Sequence, residues 1–158
     1  MTETLKEEFR DLDQVGAVFL DIDQKFKNAD FTKPLEEFRV DLEHAENDNW
    51  DGRHSPVKTQ WPKLAAATIK RKGHDQPLVL TGALRASMTD HNAAFHVGGV
   101  THRGLVFGTS IPYAESHQDG TSLIPQREFA GMDEPLLQQA IDSLVDSLVD
   151  QLKYTTRG

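Results

Sequence analysis

Apolar residues recur every three or four positions over several helical turns at both ends of this chain, and this spacing constrains the fold more than any other feature. The pattern covers Thr4 to Asn28 and Asp133 to Lys153. Such spacing places the apolar side chains on one face of an α-helix. The sequence therefore predicts a long amphipathic helix near each terminus and leaves the middle of the chain for other structure.

A second helix is predicted from Thr32 to about Glu46, because Pro34 stands near its first turn, where a missing N–H costs no hydrogen bond. The next residues, Asn47 to Gln60, are rich in Asn, Asp, Gly, Ser and Pro, a composition typical of an exposed loop. We therefore divide the chain into a helical N-terminal arm, residues 1–50, and a second unit, residues 51–158. The alternative is a single domain overall.

Two short helices are predicted next. The first runs from Lys63 to Lys72, and Gly73 is expected to end it, because glycine readily adopts the left-handed conformation found after a helix. The second follows Thr81, whose hydroxyl is the expected N-cap.

The β structure is predicted late in the chain. Asn92 to Gly98 and Leu105 to Thr109 are short and β-prone, and the residues between them are glycines and polar residues, so they predict an antiparallel hairpin. Gln126 to Ala130 is a candidate third strand. The predicted fold class is α+β: a small antiparallel sheet with short helices, flanked by a helical N-terminal arm and a C-terminal amphipathic helix.

The charge balance argues against a nucleic-acid binder. The 158 residues include 17 Lys and Arg but 25 Asp and Glu, a net charge of −8. Phosphate binding and docking on anionic lipid both need a basic surface. The chain has no cysteine, which excludes disulfides, thiol catalysis and thiolate metal sites. No apolar run approaches the ~18 residues of a transmembrane helix, so we expect no membrane partner.

The charges are unevenly distributed. Residues 52–74 contain no acidic residue and six basic ones: Arg53, Lys58, Lys63, Lys70, Arg71 and Lys72. The C-terminal helix carries Asp142, Asp146 and Asp150 at a spacing of four, a mutually repulsive row. One interpretation is a set of solvated helix faces. The other is that opposite charges meet between neighbouring copies in a head-to-tail ring.

Catalytic and metal-binding patterns with the spacing that their chemistry needs are absent from the sequence. The seven histidines include no His-x-x-x-His pair, and the glycines form no phosphate-binding loop. Ser116 and His117 are neighbours, and adjacent residues rarely meet in the geometry of proton transfer. We therefore expect no catalytic residues, no cofactor and no metal. The alternative that stays open is a hydrolase using Ser116, His117 and an acid.

Two short segments combine aromatic and charged residues with chain reversals. Tyr113 and His117 are four residues apart, which places them on one face of a helical turn, and Gly120 is positioned to reverse the chain. Arg127 stands close to Phe129. Its guanidinium either pairs with a carboxylate inside the fold or reaches a partner subunit. We favour the internal pairing, because Phe129 anchors the same segment.

Four sequence motifs, which follow one another between Trp61 and Gly131 and span under half of the chain, carry a family resemblance. They are Trp61-x-x-Leu64-x-x-x-Thr68-x-x-x-Lys72, Leu80-Thr81-Gly82-x-Leu84-x-x-Ser87, Tyr113-Ala114…His117-Gln118-x-Gly120 and Pro125-x-Arg127-x-Phe129-x-Gly131. In these residues the chain resembles the phage virion morphogenesis or tail-completion family of Mu-like and related tailed phages. The Pro-Asp-Gly motif that often precedes the tryptophan in that family has only Asp51-Gly52 as its counterpart here.

This resemblance implies a structural protein of the virion, located in the tail or neck after assembly in the host cytoplasm. It would act in tail completion, tail termination or head–tail joining. The implied partners are other copies of itself in a hexamer-type ring and the tail tube, neck or connector proteins. The alternative is an adaptor that acts during morphogenesis and does not remain in the particle.

The candidate contact residues follow from both arguments. They are Lys70, Arg71, Lys72, Tyr113, His117 and Arg127. We expect the basic stretch 52–74 of one copy to face an acidic surface of the next, either the first helix or the Asp142, Asp146 and Asp150 row.

Overall fold

The computed structural model describes the backbone of residues 2–154 and the side chains of residues 15–153. This part of the chain forms an α+β fold with six helices and one two-stranded antiparallel sheet. The elements in chain order are α1 (Thr2–Asn28), α2 (Thr32–Gly52), α3 (Ala66–Lys72), α4 (Ala83–Thr89), β1 (His96–Thr101), β2 (Gly104–Thr109), α5 (Ala114–Gln118) and α6 (Glu134–Tyr154). The predicted fold class, with a helix near each terminus, is confirmed.

The prediction of an exposed loop from Asn47 to Gln60 was wrong for residues 47–52, whereas residues 57–60 lie outside any helix and are exposed. Helix α2 continues to Gly52, and the side chains of Asn49 and Trp50 are buried. The Trp50 ring packs edge-on against Trp61 with 5.3 Å between ring centroids. Burying a large aromatic ring outweighs the poor helix propensity of Asn and Asp, which is why local composition misled the prediction.

The boundary suggested after residue 50 falls inside α2. This helix packs against α4, α6 and β2, and its Trp50 belongs to the hydrophobic core. The buried core residues come from five separate parts of the chain: Trp50, Trp61, Leu84, Met88, Ile111, Ala114 and Phe129. The core therefore joins α2 directly to the elements that follow it.

The predicted hairpin is confirmed, with a shift in its bounds. Strand β1 begins at His96 rather than Asn92, and its register pairs His96 with Thr109 and Thr101 with Gly104. The glycines of the predicted connection, which began at Gly99, therefore lie partly inside the strand.

The candidate third strand, Gln126 to Ala130, was wrong. In the described part of the chain the sheet contains β1 and β2 alone. The side chain of Gln118 takes the place of a neighbouring strand: its Oε1 accepts the N–H groups of Phe129 and Ala130 at 3.0 and 3.1 Å. Its Nε2 donates to the carbonyl of Ala130 at 2.9 Å. One amide side chain thus satisfies three backbone groups that a strand would pair with a sheet.

The short helices differ from prediction at their first turns. Helix α3 begins at Ala66 and not at Lys63. The carbonyls of Pro62 and Lys63 accept hydrogen bonds from the Arg127 guanidinium and not from the N–H groups of a following helical turn. It ends at Gly73 with φ 80°, as expected. Before α4, Gly82 occupies the N-cap position, so that prediction for Thr81 was wrong by one residue.

Candidate functional site: a cationic cleft

A cleft of about 890 Å³ lies between α3, residues 78–81 and the segment from Tyr113 to Arg127. Five basic side chains line it: Lys63, Arg71, Lys72, His117 and Arg127. Among the residues that the structure describes, no Asp or Glu lines it. We call this feature the cationic cleft.

The structure brings five of the six sequence-predicted contact residues to this cleft. Arg71 and Lys72 line it from α3, and Tyr113, His117 and Arg127 line it from the opposite side. The sixth residue, Lys70, is exposed on α3 and is not part of the lining.

Tyr113 and His117 stand on one turn of helix, as their spacing predicts. Tyr113 precedes α5, and the two rings meet edge-on with 6.0 Å between centroids. The Nδ1 atom of His117 is buried and has no hydrogen-bond partner among the described residues. Burial lowers the pKa of His117, and the charges of Arg127 and Lys72 lower it further. A neutral imidazole is therefore favoured near pH 7.

The chain reversal after α5 depends on Gly120, which adopts φ +75°. A Cβ at this position would lie 2.9 Å from the backbone nitrogen of Gln126. This close approach brings the Arg127 segment back beside α5, where the N–H of Arg127 donates to the carbonyl of His117 at 2.8 Å.

Arg127 is buried, with an exposed fraction of 5%. Its Nε donates to the carbonyl of Pro62 at 2.9 Å and its Nη2 to the carbonyl of Lys63 at 3.3 Å. The contacts are thus internal, but the expected carboxylate is replaced by two backbone carbonyls. None of the ion pairs in the described part of the chain includes Arg127. Burial lowers the pKa of its guanidinium.

Lys72 adds a second partly buried cation. Its Nζ donates to the carbonyl of Gln76 at 2.8 Å. Burial lowers the pKa of Lys72, and the charges of Arg127 and Arg71 act in the same direction. The clustering of these cations gives the cleft a positive potential, and an anionic ligand would relieve their mutual repulsion.

The remaining lining is mostly apolar. It includes Leu64, Leu78, Val79, Leu80, Leu123 and Ile124. Leu80 is exposed and Leu123 is 91% exposed, so both present apolar surface to solvent. The lining therefore favours a ligand that combines negative charge with apolar groups.

A second concave surface lies between α2, β2 and α6. It has a volume of about 410 Å³, and its lining is almost entirely apolar apart from Glu46. Glu46 is 2% exposed, and its Oε2 atom has no hydrogen-bond partner among the described residues. Burial raises the pKa of Glu46 to about 8, although a hydrogen bond with the backbone of Gly131 opposes this shift. Sequence analysis missed Glu46; its spacing of four residues from buried Leu42 was the available signal.

The described residues form neither a metal-binding cluster nor a membrane-spanning helix. No group of three or more His, Asp or Glu side chains is arranged to hold a metal ion there. Within the same part of the chain, no helix has the length and hydropathy needed to cross a membrane. The Ser87 hydroxyl donates to the carbonyl of Leu84 at 2.9 Å, and its oxygen forms a second hydrogen bond of 2.8 Å with the Thr109 hydroxyl.

Comparisons with known proteins found no relative. No protein-family model matches the chain. Searches of curated proteins and of solved structures also found no match.

Proposed function

We propose that this chain is a structural protein of a tailed-phage virion that acts in tail completion, tail termination or head–tail joining. The observation that carries the proposal is the apolar surface left exposed along helices α1 and α6. Monomeric proteins rarely expose large contiguous apolar patches, and such patches commonly mark contacts with other proteins. An assembly protein covers them when it enters a particle.

In the part of helix α1 whose side chains are described, the apolar face is exposed. Among its described side chains, Val15, Phe19, Ile22 and Phe26 follow one another at helical spacing, and Phe19 is 68% exposed. The helix packs against α6, but about half or more of the surface of each of these side chains stays exposed. A contact with another chain would remove them from water.

Helix α6 exposes the edge of its apolar face. Ile141, Val145 and Val149 are all exposed, although the helix packs against α1 and α2. They lie beside the row of Asp142, Asp146 and Asp150. We call these six residues the α6 ridge.

The residues of the family resemblance also contact one another across long stretches of sequence. The segment that starts at Trp61 is bonded to the Arg127 segment through Pro62 and Lys63. Phe129 and Leu84, which belong to two different motifs of the family resemblance, pack in the same core. The motifs thus belong to one structural unit, which supports interpreting them as parts of a single family pattern.

The proposed assembly is a hexamer-type ring in the tail or neck of the virion. Copies would meet through a head-to-tail contact between the basic stretch 52–74 and an acidic surface of the next copy. Such a contact closes a ring when its rotation divides the circle. The other partners would be tail tube, neck or connector proteins.

Electron microscopy of particles from a phage with this gene disrupted, beside a complemented control, tests the proposal. We expect separate filled heads together with tails of finished or excessive length. Finished tails would indicate joining, and overlong tails would indicate termination. Intact infectious virions would overturn the proposal.

A second measurement distinguishes a virion component from a transient assembly adaptor. Mass spectrometry of purified particles should detect this protein at a stoichiometry in keeping with a ring. Its absence from finished particles, combined with an assembly defect in the disrupted phage, would favour the adaptor.

A further inference from the structure

We infer that the cationic cleft of one copy receives the α6 ridge of a second copy. This inference rests on the proposed function, because it specifies the contact between copies that a ring requires. It assigns the cleft one occupant, a second copy of this chain, and it identifies which of the two acidic helices provides the contact.

The cleft needs a partner that is both anionic and apolar. Its basic lining includes partly buried Lys72 and buried Arg127, and none of the described acidic residues lines it to compensate their charge. The buried Nδ1 atom of His117 is left without a hydrogen-bond partner in the described part of the chain. Exposed Leu80 and Leu123 supply apolar surface beside these charges.

The α6 ridge has the complementary composition. Its apolar residues and its acidic residues follow neighbouring rows of the same helix, since both recur every four positions. Val145, at the centre, is 51% exposed. The acidic row repels itself in the isolated chain, so a cationic surface against it would relieve that repulsion.

The charge partners within each helix favour α6 over α1 as the occupant. In α1, Asp21 and Asp23 already form ion pairs with Lys25 and Lys27 one turn away. In α6, Asp142 accepts a hydrogen bond from Gln138 at 2.8 Å and Asp150 lies 3.7 Å from Lys153. Central Asp146 has no ion pair among the described residues. Its full charge is available to a partner.

The ridge and the cleft belong to different surfaces of one copy. Helix α6 packs against α1 and α2, whereas the cleft is lined by residues 63–81 and 113–127. A contact between them therefore joins two different surfaces of neighbouring copies. Repetition of this heterologous contact produces a ring or a filament and not a closed dimer.

Sedimentation velocity of the full-length chain over a concentration series tests the contact. We expect the wild-type chain to self-associate, and to do so less strongly at high salt, because salt screens exposed charges. Lys72→Glu and Asp146→Lys should each weaken association by about tenfold or more. Circular dichroism and a melting temperature for each variant will establish that it is folded.

Two matched controls separate the effect of each substitution's position from the effect of the change in net charge. Lys27→Glu makes the same charge change on α1, at a side chain that is 69% exposed and lies outside residues 52–74, and Asp48→Lys makes the opposite change at an exposed position of α2. Both should associate like the wild type. A loss equal to that of Lys72→Glu and Asp146→Lys would mean that net charge governs association, and would overturn the inference.

Mixing the two folded charge variants gives the most specific result. The Lys72→Glu chain keeps an intact ridge and the Asp146→Lys chain keeps an intact cleft. Together they should associate more strongly than either variant alone, because the intact ridge meets the intact cleft at one contact and the two reversed charges oppose each other at the other. A mixture that associates no more strongly than the separate variants would overturn the contact.

Failure of this inference can be distinguished from failure of the proposed function. A wild-type chain that stays monomeric throughout, or association lost in Lys72→Glu but intact in Asp146→Lys, would overturn the contact. Such results leave the phenotype of the disrupted phage to decide the role in the virion. Normal infectious particles without the gene would overturn that role even if the purified chain self-associates.

Discussion

The indole N–H of Trp61 donates a hydrogen bond of 2.7 Å to the backbone carbonyl of Glu128, a residue 67 positions further along the chain. The Trp61 ring is buried against Trp50, and the carbonyl lies between buried Arg127 and Phe129. This bond therefore joins the start of the α3 segment to the far wall of the cationic cleft. Its loss should affect both stability and the shape of the cleft.

Two substitutions of tryptophan by phenylalanine separate this bond from ring packing. Trp61→Phe leaves the Glu128 carbonyl without its donor, whereas the Nε1 of Trp50 is buried with no partner among the described residues. We expect Trp61→Phe to lower the free energy of unfolding by about 1–2 kcal/mol more than Trp50→Phe. Urea denaturation of both variants measures the difference. Equal losses would mean that packing alone matters at these positions.

Arg127 should be required for stability because its guanidinium satisfies two backbone carbonyls. Arg127→Met would leave the carbonyls of Pro62 and Lys63 unpaired, and should lower the free energy of unfolding by about 2–4 kcal/mol. Arg127→Lys keeps the charge but not the planar fork, so it should rescue only part of that loss. Thermal and urea unfolding provide the measurement. A stable Arg127→Met chain that fails to assemble would show instead that Arg127 contacts a partner.

Glu46 should make stability depend on pH. The folded state raises the pKa of Glu46 from 4.5 to about 8, so it keeps a proton that the unfolded chain has lost. The associated stability is fully present below pH 4.5 and is lost as the pH rises through 8, by up to about 1.4 kcal/mol per pH unit between those values. Glu46→Gln removes this titration. Its stability relative to the wild type should therefore increase from pH 5 to pH 8.

Urea denaturation of the wild type and Glu46→Gln at several pH values tests this linkage. Other titrating groups, such as His117, are present in both chains, so the difference between them isolates Glu46. A difference that stays constant with pH would contradict the raised pKa.

Gly120 and Gly73 form a matched pair of left-handed glycines. Their φ angles are +75° and +80°, but a Cβ at Gly120 would lie 2.9 Å from the Gln126 nitrogen, whereas nothing lies within 4 Å of one at Gly73. Gly73→Ala should cost about 1 kcal/mol from backbone strain alone. Gly120→Ala should cost at least about 1 kcal/mol more, because backbone atoms must move. Similar melting temperatures for the two variants would mean that the turn relaxes easily.

The sequence selects six candidate contact residues, and the structure brings five of them to one cleft. The spacing of Tyr113 and His117 predicts their shared helical turn, since four residues complete about one turn. The sequence does not reveal that Arg71 and Lys72 face them across the cleft. That arrangement depends on the chain reversal at Gly120 and on hydrogen bonds from Arg127 to residues more than sixty positions away.

Local periodicity by itself determined the α+β class, the helix near each terminus and the hairpin, because each depends on side-chain spacing within a single segment. Only the tertiary structure decided whether the polar segments form helix, strand or loop, and which of their side chains are buried. Asn49 and Trp50 are helical and buried because Trp61 packs against the Trp50 ring. Residues Gln126 to Ala130 form a loop and not a strand because the Gln118 side chain forms hydrogen bonds with the backbone of Phe129 and Ala130. These outcomes depend on partners distant in sequence, and burial and hydrogen bonding with such partners outweigh local propensity.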